Sequence, residues 1–277
     1  MTYHSPDNLV QALELAAQGS GKIVAGGTDV YPSAKQGEQH PYFLDVTRIK
    51  GFREIGFEDG SLRLGAASTW TQLVKTDLPP AFDALKQAAL EVGSIQIQNA
   101  GTIAGNICNA SPAADGVPPL LALDARVELM SAARGLRVLP LSEFIEGVRK
   151  TALASDELMT AIIIPSLPDG AKSAFEKLGS RRYLVISISM VAATITCDAD
   201  GRISDARIAV GSCSPVAQRL SNLEADLIGK RSTELEVNDH HLSSLSPITD
   251  VRGSGSYRLD VVTEQCKRAI RRAMSHE

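Results

Sequence analysis

Short apolar segments alternate with glycine, proline and polar turns along most of the 277-residue chain, a pattern that predicts a mixture of strands and helices. The first predicted helix begins at Ser5-Pro6-Asp7 and ends at Gly19, and a strand over residues 23–25 follows it. A short helix over residues 30–36 then precedes strands predicted over residues 42–46, 52–57 and 62–66, with a tight turn at Asp59-Gly60. This order predicts a compact β-α-β unit followed by a more antiparallel region.

The middle and the end of the chain continue the mixed pattern. Thr69 is expected to cap a helix that reaches residue 74, and Leu78-Pro79-Pro80 leads into a helix that ends near Gly93. A hairpin is predicted over residues 126–130 and 136–139, and a strand over residues 161–164 stops at Pro165. Residues 165–170 favour a linker. Beyond it, the pattern predicts a small α+β domain with strands over residues 174–178, 187–197 and 203–210 and helices over residues 215–228 and 259–274.

One segment does not fit a regular element. Residues 101–115 have the sequence GTIAGNICNASPAAD, whose glycines and short polar side chains predict a loop, followed by a helix over residues 112–123. Thr102, Asn106, Asn109 and the loop amides offer hydrogen bonds to a polar, anionic ligand, and the start of a helix adds positive potential there. A simple connecting loop is the alternative for this segment taken alone.

A second segment of this kind lies near the N-terminus. The apolar residues 23–25 lead directly into Gly26-Gly27, and then into Thr28 and Asp29, with Lys35 six residues further on. A glycine pair after a strand can form an anion-binding nest, although an ordinary turn is the commoner use of such a pair. Neither the dinucleotide-binding glycine fingerprint nor a Walker loop occurs here. Any phosphate-binding site therefore has another design.

Composition and charge exclude several classes of protein. The chain is 44% hydrophobic and 22% charged, as expected of a globular protein large enough for two domains. Its net charge of −4 gives no basic field for nucleic acid or an anionic membrane. The sequence has no apolar run long enough for a membrane span and no signal peptide pattern at its start. The expected location is the cytoplasm, unless the chain is exported folded with a partner that carries a signal.

Cysteine and histidine spacing argues against a metal site in this chain. The four cysteines, Cys108, Cys197, Cys213 and Cys266, show no Cys-x-x-Cys spacing, and His240-His241 has no third ligand nearby in the sequence. Cys108 lies inside the second glycine-containing segment, where we expect it to act as a small buried side chain without a redox role.

Together, the two segments resemble the FAD loops of the flavin-binding subunits of molybdenum hydroxylases, the xanthine dehydrogenase and carbon monoxide dehydrogenase family. Ala25-Gly26-Gly27-Thr28-Asp29 matches the first loop, and residues 102–112 with Asp115 match the second. Further similarity covers nearly the whole chain, at residues 64–69, 156–157, 175–177 and 252–258. Ala104 departs from the pattern, because the family usually has there the first glycine of a Gly-Gly-Asn triplet.

The resemblance implies an α+β fold. Residues 1–167 are expected to form a two-subdomain FAD-binding domain of the vanillyl-alcohol oxidase and PCMH type, divided into about 1–57 and 58–167. Residues 168–277 are expected to form a C-terminal α+β domain with a three-stranded antiparallel sheet. The residues implied for FAD binding are Lys22, Ile23, Val24, Ala25, Gly26, Gly27, Thr28, Asp29, Thr102, Ala104, Gly105, Asn106, Cys108, Asn109, Asp115, Met159 and Lys177.

The implied function is electron transfer within a larger complex. A large subunit with a molybdenum cofactor would oxidise the substrate, a small [2Fe-2S] subunit would carry the electrons, and the FAD of this chain would pass them to an acceptor such as NAD. The resemblance assigns no catalytic residue and no metal ligand here. Lys177 is expected to place a cation beside N1 and the C2 carbonyl of the flavin, and Asp115 to accept hydrogen bonds from a sugar hydroxyl or the flavin edge. A surface lysine at a strand end is the alternative for Lys177.

Two other functions stay open at this point. A stand-alone flavoenzyme would need an acid or base over the flavin, and Arg181, Arg182 and Tyr183 form no recognisable catalytic set. A phosphate-ligand binding module with a protein-docking domain would have no redox role. Separately, the last predicted helix carries Lys267, Arg268, Arg271 and Arg272. Such a cluster is usually a solvated helix face, and a docking surface for another subunit is the rarer case.

Overall fold

The structure of the protein, a computed structural model, describes residues 2–33, 40–182 and 184–275. Within these ranges the strands form a three-stranded, a five-stranded and a four-stranded sheet, here named the N-terminal, central and C-terminal sheets, and a two-stranded ribbon. Lys35, Tyr183 and the end of the helix predicted to reach residue 36 lie outside the described residues.

The N-terminal sheet is parallel and carries the first glycine loop. Its strands are Thr2–His4, Lys22–Val24 and Tyr42–Asp45, with the last of these in the middle. Strands Lys22–Val24 and Tyr42–Asp45 are parallel, with helix Val30–Ser33 between them in the chain, which confirms the predicted β-α-β unit. Strand Thr2–His4 was not predicted, and helix Leu9–Ala16 connects it to Lys22–Val24. The helix begins later than predicted because Asn8 caps it, its Oδ1 accepting from the Gln11 amide at 2.9 Å.

The central sheet is antiparallel, and its strands follow each other in space as Ile55–Glu58, Ser61–Gly65, Glu157–Ile164, Arg126–Ser131 and Gly135–Pro140. Both predicted hairpins are confirmed. Asp59 and Gly60 have φ angles of 49° and 79°, the left-handed conformation that an Asp-Gly hairpin turn requires. The strand predicted to begin at residue 52 begins at Ile55, because the preceding residues form a turn with a hydrogen bond from the Phe52 amide to the Ile49 carbonyl.

The C-terminal sheet is antiparallel and consists of Lys172–Leu178, Ser189–Cys197, Ile203–Gly211 and the short strand Gln218–Arg219. The expected three-stranded sheet therefore has a fourth, two-residue strand. That strand occupies the beginning of the helix predicted over residues 215–228, which is reduced to Ser221–Leu227. The long helix Gly255–Met274 packs against this sheet.

The remaining elements connect the sheets. They are the helices Val30–Ser33, Trp70–Lys75, Asp83–Glu91, Ile95–Ala100, Ile103–Asn109, Val117–Ala122 and Leu141–Phe144, the 3₁₀ helices Pro80–Phe82, Ser232–Glu234 and Asp239–Leu242, and the ribbon strands Ile145–Gly147 and Lys150–Thr151.

Two predictions for the second glycine segment are wrong. Residues 103–109 are helical, because Thr102 caps this helix and its apolar residues Ile103 and Ile107, one turn apart, are fully buried. The helix predicted to start at residue 112 starts at Val117. This position places Pro118 and Pro119 in the first helical turn, where their missing amide hydrogens cost nothing.

The C-terminal sheet contributes to two hydrophobic clusters. Met190 and Ala192 point into a large cluster shared with the N-terminal and central sheets, whereas Val191 and Ala193 point into a second cluster with the helix Gly255–Met274. The middle strand Ser189–Cys197 is consequently buried on both faces, which explains its nearly continuous apolar sequence.

An ion pair between the buried Glu157 carboxylate and the partly exposed Arg137 holds the start of the central strand Glu157–Ile164. The Glu157 carboxylate accepts two hydrogen bonds of 2.7 Å from Arg137 and one of 2.9 Å from the Ala154 amide, and its side chain is 1% exposed. Burial raises the pKa of the Glu157 carboxyl, but these hydrogen bonds lower it more, so the net pKa lies below its ordinary value. The folded state therefore favours the ionised form.

We expect Glu157→Ala to lower the free energy of unfolding by about 2 kcal/mol at neutral pH, less than for a fully buried pair because Arg137 is partly exposed. Since the folded-state pKa is depressed, this contribution is present above the ordinary pKa of glutamate and is lost as the pH falls through the folded value. Urea unfolding at several pH values measures it. Glu146→Ala, which removes an exposed pair with Lys150, is the control and should change stability by less than about 0.5 kcal/mol. Equal effects of the two variants would contradict the role given to Glu157.

Candidate functional site

A cavity of about 270 Å³ lies between the first glycine loop and the helix Ile103–Asn109. Most residues that the sequence singled out line it, although they come from segments about eighty residues apart. They are Lys22, Ile23, Ala25, Gly26, Gly27, Thr28, Asp29, Thr102, Ala104, Gly105, Asn106, Cys108, Asn109 and Met159. The structure thus brings both glycine segments to one site.

The glycines of the first loop are required by close packing and by backbone conformation. A Cβ atom on Gly26 would lie 2.0 Å from the Ala100 carbonyl oxygen, so this residue lets the first loop touch the segment that precedes the second. Gly27 has a φ of 69°, in the left-handed region that favours glycine. From the sequence, both glycines were expected to let a ligand approach the backbone. The structure shows that Gly26 is needed because its loop packs against the backbone of Ala100.

The wall opposite is the first turn of the helix Ile103–Asn109. The Thr102 hydroxyl accepts a hydrogen bond of 3.0 Å from the Gly105 amide and fixes where the helix begins. Ala104 is helical and buried, so this position needs no conformation that is special to glycine. Ala110, with a φ of 45°, ends the helix.

Asn106 supplies the clearest sign of a ligand. Its side-chain oxygen Oδ1 is buried and has no hydrogen-bond partner among the described residues, and the residue lines the cavity beside the fully buried Trp70. A buried acceptor without a donor costs about 1–3 kcal/mol. The cavity lining therefore includes a residue whose polar side chain is not fully satisfied within the described residues.

Cys108 lines the same cavity without reactive character. Burial raises the pKa of its thiol to about 12, so the thiolate is scarcely present at neutral pH. This agrees with the expectation that Cys108 acts as a small apolar side chain.

Three of the predicted site residues do not line this cavity. Val24 is buried in its strand, where its carbonyl accepts from the Val46 amide at 3.0 Å. Asp115 and Lys177 form a buried ion pair, with 2.8 Å between Asp115 Oδ2 and Lys177 Nζ. Lys177 also donates to the Glu91 carbonyl at 3.3 Å, and its side chain is only 6% exposed, so the interpretation as a surface lysine is wrong.

The Asp115 carboxylate is held from two sides. Ser187 Oγ donates to Asp115 Oδ1 at 2.7 Å, and Lys177 holds the other oxygen. Burial raises the pKa of the Asp115 carboxyl, and the cation of Lys177 and the hydrogen bonds from both partners oppose that rise. Lys177 further lines a second cavity with Glu91, Arg181 and Arg182.

A protein-family comparison identifies the chain. Residues 1–167 match the family described as the FAD binding domain in molybdopterin dehydrogenase, which is more than half of the sequence. The chain belongs to this family. Residues 173–273 match the CO dehydrogenase flavoprotein C-terminal domain. This molybdopterin dehydrogenase flavoprotein therefore has FAD as its cofactor and is the FAD-binding subunit of an oxidoreductase.

Individual relatives extend the similarity over the full chain. A xanthine dehydrogenase FAD-binding subunit of Escherichia coli O157:H7 is 32% identical over 282 residues, which cover 99% of this chain and 96% of the relative. The alpha subunit of the 6-hydroxypseudooxynicotine dehydrogenase complex of Paenarthrobacter nicotinovorans is 31% identical and covers 98% and 94%. A crystal structure of the Cu,Mo-CO dehydrogenase contains a chain that superposes with a TM-score of 0.91 at 25% identity, over 99% and 97% of the two chains.

Sequence reasoning on the flavoprotein missed the apolar part of the cavity wall. This part has no chemical signature, because its members look like ordinary core residues: Val30, Val46, Ala66, Trp70, Val92, Ile97, Leu153 and Leu158. Gly101 was recognised as part of the second segment but not as a lining residue. Trp70 carried the best available signal, since it directly follows the helix cap Thr69 and is the single tryptophan of the chain.

The described residues contain neither a metal-ligand cluster nor a helix able to span a membrane. Across residues 2–33, 40–182 and 184–275, no three histidine, cysteine or acidic side chains come together as metal ligands would. Of the helices in those ranges, none combines the length and the apolar character needed to cross a membrane.

Proposed function

We propose that the cavity between the two glycine segments holds FAD and that this subunit passes electrons from a partner's iron-sulfur clusters to a soluble acceptor such as NAD. The observation that carries the proposal is the convergence of both segments on one cavity, whose lining includes Asn106, a residue with an unpaired side-chain oxygen. FAD, when bound, supplies the redox chemistry, because it accepts electrons singly or in pairs. The residues of this chain bind and orient it.

Each part of the cavity has a distinct task in this proposal. The Gly26-Gly27 turn and the first turn of the helix Ile103–Asn109 would present amides to the diphosphate, and Thr28 would donate its hydroxyl. Asn106 would accept a hydrogen bond from the ribityl chain or a sugar. The apolar wall that includes Met159 excludes water from the bound cofactor. We retain the proposed division of the chain near residue 167, with the cavity in the N-terminal part.

The Asp115–Lys177 pair would act on the flavin ring. A cation beside the ring stabilises the negative charge that the ring gains on reduction, and burial strengthens this interaction because little water screens it. The neighbouring carboxylate opposes the effect. Lys177 and Asp115 would thus set the reduction potential between them.

The proposed partners are a large subunit with a molybdenum cofactor and a small [2Fe-2S] subunit. Relatives of similar length belong to a 6-hydroxypseudooxynicotine dehydrogenase complex, a carbon monoxide dehydrogenase and a caffeine dehydrogenase. Because such similar chains serve enzymes with different substrates, the substrate would be selected in another subunit. The proposed location of the complex is the cytoplasm.

NADH titration of the complex tests the electron path without knowledge of the substrate. Under anaerobic conditions NADH should bleach the flavin absorbance and then that of the iron-sulfur clusters. The same complex, stripped of FAD, should show neither change until FAD is added back. Cluster reduction by NADH in the stripped complex would contradict the path through this subunit. Bleaching by a chemical reductant such as dithionite but not by NADH would exclude NAD as the acceptor and leave the rest of the proposal standing.

We expect Asn106→Ala to weaken FAD binding about 10- to 100-fold, the equivalent of one hydrogen bond to a buried acceptor. The apoprotein should be at least as stable as the unaltered one, since the substitution removes an unsatisfied buried oxygen. Flavin fluorescence titration measures the affinity, and urea unfolding measures the stability. The control is Asn99→Ala, whose amide contacts Thr71 outside the cavity. Unchanged FAD affinity in Asn106→Ala would contradict this contact.

A further inference from the structure

The Asp115 carboxylate accepts hydrogen bonds from residues at both ends of the segment that connects two adjacent strands of the C-terminal sheet. Lys177 lies near the end of strand Lys172–Leu178, and Ser187 lies just before strand Ser189–Cys197, so residues 179–188 connect the two strands. Lys177 bonds Asp115 Oδ2 at 2.8 Å, and Ser187 bonds Asp115 Oδ1 at 2.7 Å. Both oxygens of the carboxylate therefore have a donor, one charged and one neutral.

The Ser187 hydroxyl is held rigidly in this position. Ser187 is 2% exposed, and the next residue, Ile188, donates its amide to the Leu178 carbonyl at 2.7 Å. The buried Arg258 donates to the Ile188 carbonyl and, at 3.1 Å, to the Ser212 carbonyl. The backbone on the C-terminal side of Ser187 is thus fixed by two independent contacts, which aim its hydroxyl at Asp115.

We propose that Ser187 is a positioning residue whose hydrogen bond favours the carboxylate form of Asp115 and thereby sets the reduction potential of the flavin through the Asp115–Lys177 pair. This inference rests on the proposed function. A hydroxyl donor stabilises a carboxylate over a carboxylic acid, and the effect is large where water is excluded. Ser187 makes no proposed contact with FAD. It acts through Asp115.

The electrostatics give the direction of the effect. Burial already raises the pKa of Asp115, and Ser187 and Lys177 counteract it. Among the described residues, Asp115 forms its ion pair with Lys177. Glu91 contacts Lys177 through its backbone carbonyl, which accepts a hydrogen bond from the Lys177 ammonium. Without Ser187, Asp115 takes up a proton at higher pH. Lys177 then acts on the flavin without its opposing carboxylate, and reduction becomes easier.

The test is a set of reduction potentials of the FAD-loaded subunit in its complex, measured by spectroelectrochemistry between pH 5.5 and 8.5. In Ser187→Ala, we expect the proton affinity of Asp115 to rise about tenfold, the equivalent of one hydrogen bond. The potential should therefore lie above that of the unaltered protein over the pH range in which Asp115 titrates, and converge with it at higher pH. Ser187→Cys, which keeps the size and a weak donor, should fall between the two. In the apoprotein, carbon-13 NMR of labelled aspartate should show the same shift of the Asp115 titration.

Matched variants separate this role from a merely structural one. Ser189→Ala removes an equally buried hydroxyl that bonds Gln265 at 2.7 Å, away from Asp115, and should leave the potential unchanged at every pH. In an Asp115→Asn background, Ser187→Ala should have no further effect, because the carboxylate through which it acts is gone.

The outcomes distinguish this inference from the proposed function. If Lys177→Met and Asp115→Asn shift the potential but Ser187→Ala does not at any pH, the role of Ser187 is refuted and the site at the flavin stands. An undiminished effect of Ser187→Ala in the Asp115→Asn background also refutes it. If none of these variants shifts the potential of bound FAD, the pair does not lie beside the flavin, and both proposals fail at that point.

Discussion

Substitution of alanine for Gly26 is expected to release most of the FAD from this subunit. The added Cβ would lie 2.0 Å from the Ala100 carbonyl oxygen and 2.8 Å from the Cα of Gly101, both of them backbone atoms that cannot rotate away. The first loop must then move away from the segment that carries the second, and the cavity between them changes shape. Overpacking of this kind costs about 1–3 kcal/mol, so we expect the FAD affinity to fall about 100-fold.

Flavin absorbance of the purified protein, compared with its protein content, measures this loss. Gly56→Ala is the matched control, because a Cβ there has no atom within 4 Å and the residue lies on an edge strand away from the cavity. Circular dichroism should show that both variants are folded. Full FAD occupancy in Gly26→Ala would mean that the two loops can separate without losing the cofactor.

The second large effect is expected from Lys177→Met, which should lower the reduction potential of the flavin. The substitution removes a buried cation and leaves the Asp115 carboxylate, so the reduced ring loses its stabilising charge. A loss of about 1.4 kcal/mol corresponds to about 30 mV for a two-electron couple. Asp115→Asn should shift the potential in the opposite direction, because it removes the opposing charge.

The pH dependence of the Lys177→Met effect follows from Asp115. Without its cation, the already raised pKa of Asp115 rises further, and a protonated Asp115 no longer opposes reduction. The shift should therefore grow as the pH increases and Asp115 becomes ionised. Potentiometric titration of bound FAD measures it, with Lys172→Met, at the opposite end of the same strand, as the control. Equal flavin reduction potentials of Lys177→Met and the unaltered protein at high pH would mean that Lys177 does not lie near the flavin.

Local sequence patterns sufficed for elements that depend on near neighbours. The Asp59-Gly60 hairpin turn, the Thr69 cap and the β-α-β unit each follow from a few adjacent residues and were predicted correctly. The helix Ile103–Asn109 was missed because glycine and asparagine have low helix propensity, which burial of Ile103 and Ile107 overrides. Tertiary packing decided this case.

The site was predictable to the extent that its residues carry chemical character. Glycines, amides and hydroxyls in two ordered segments identified most of the polar wall, whereas Trp70 and Leu158 resemble any core residue. Lys177 and Asp115 were both singled out, but their ion pair was not predicted. It joins positions 62 residues apart, and no local pattern encodes such a contact. Ser187 was missed for the same reason.

The wall of the cavity contains the single tryptophan of the chain, Trp70, close to the unpaired oxygen of Asn106. An indole emits light in the region where oxidised flavin absorbs, and energy transfer over such a short distance is efficient. The intrinsic emission of this subunit is therefore an internal gauge of cofactor occupancy. It allows loading and release of the flavin to be followed in real time, without a label and without interference from a second indole in the same chain.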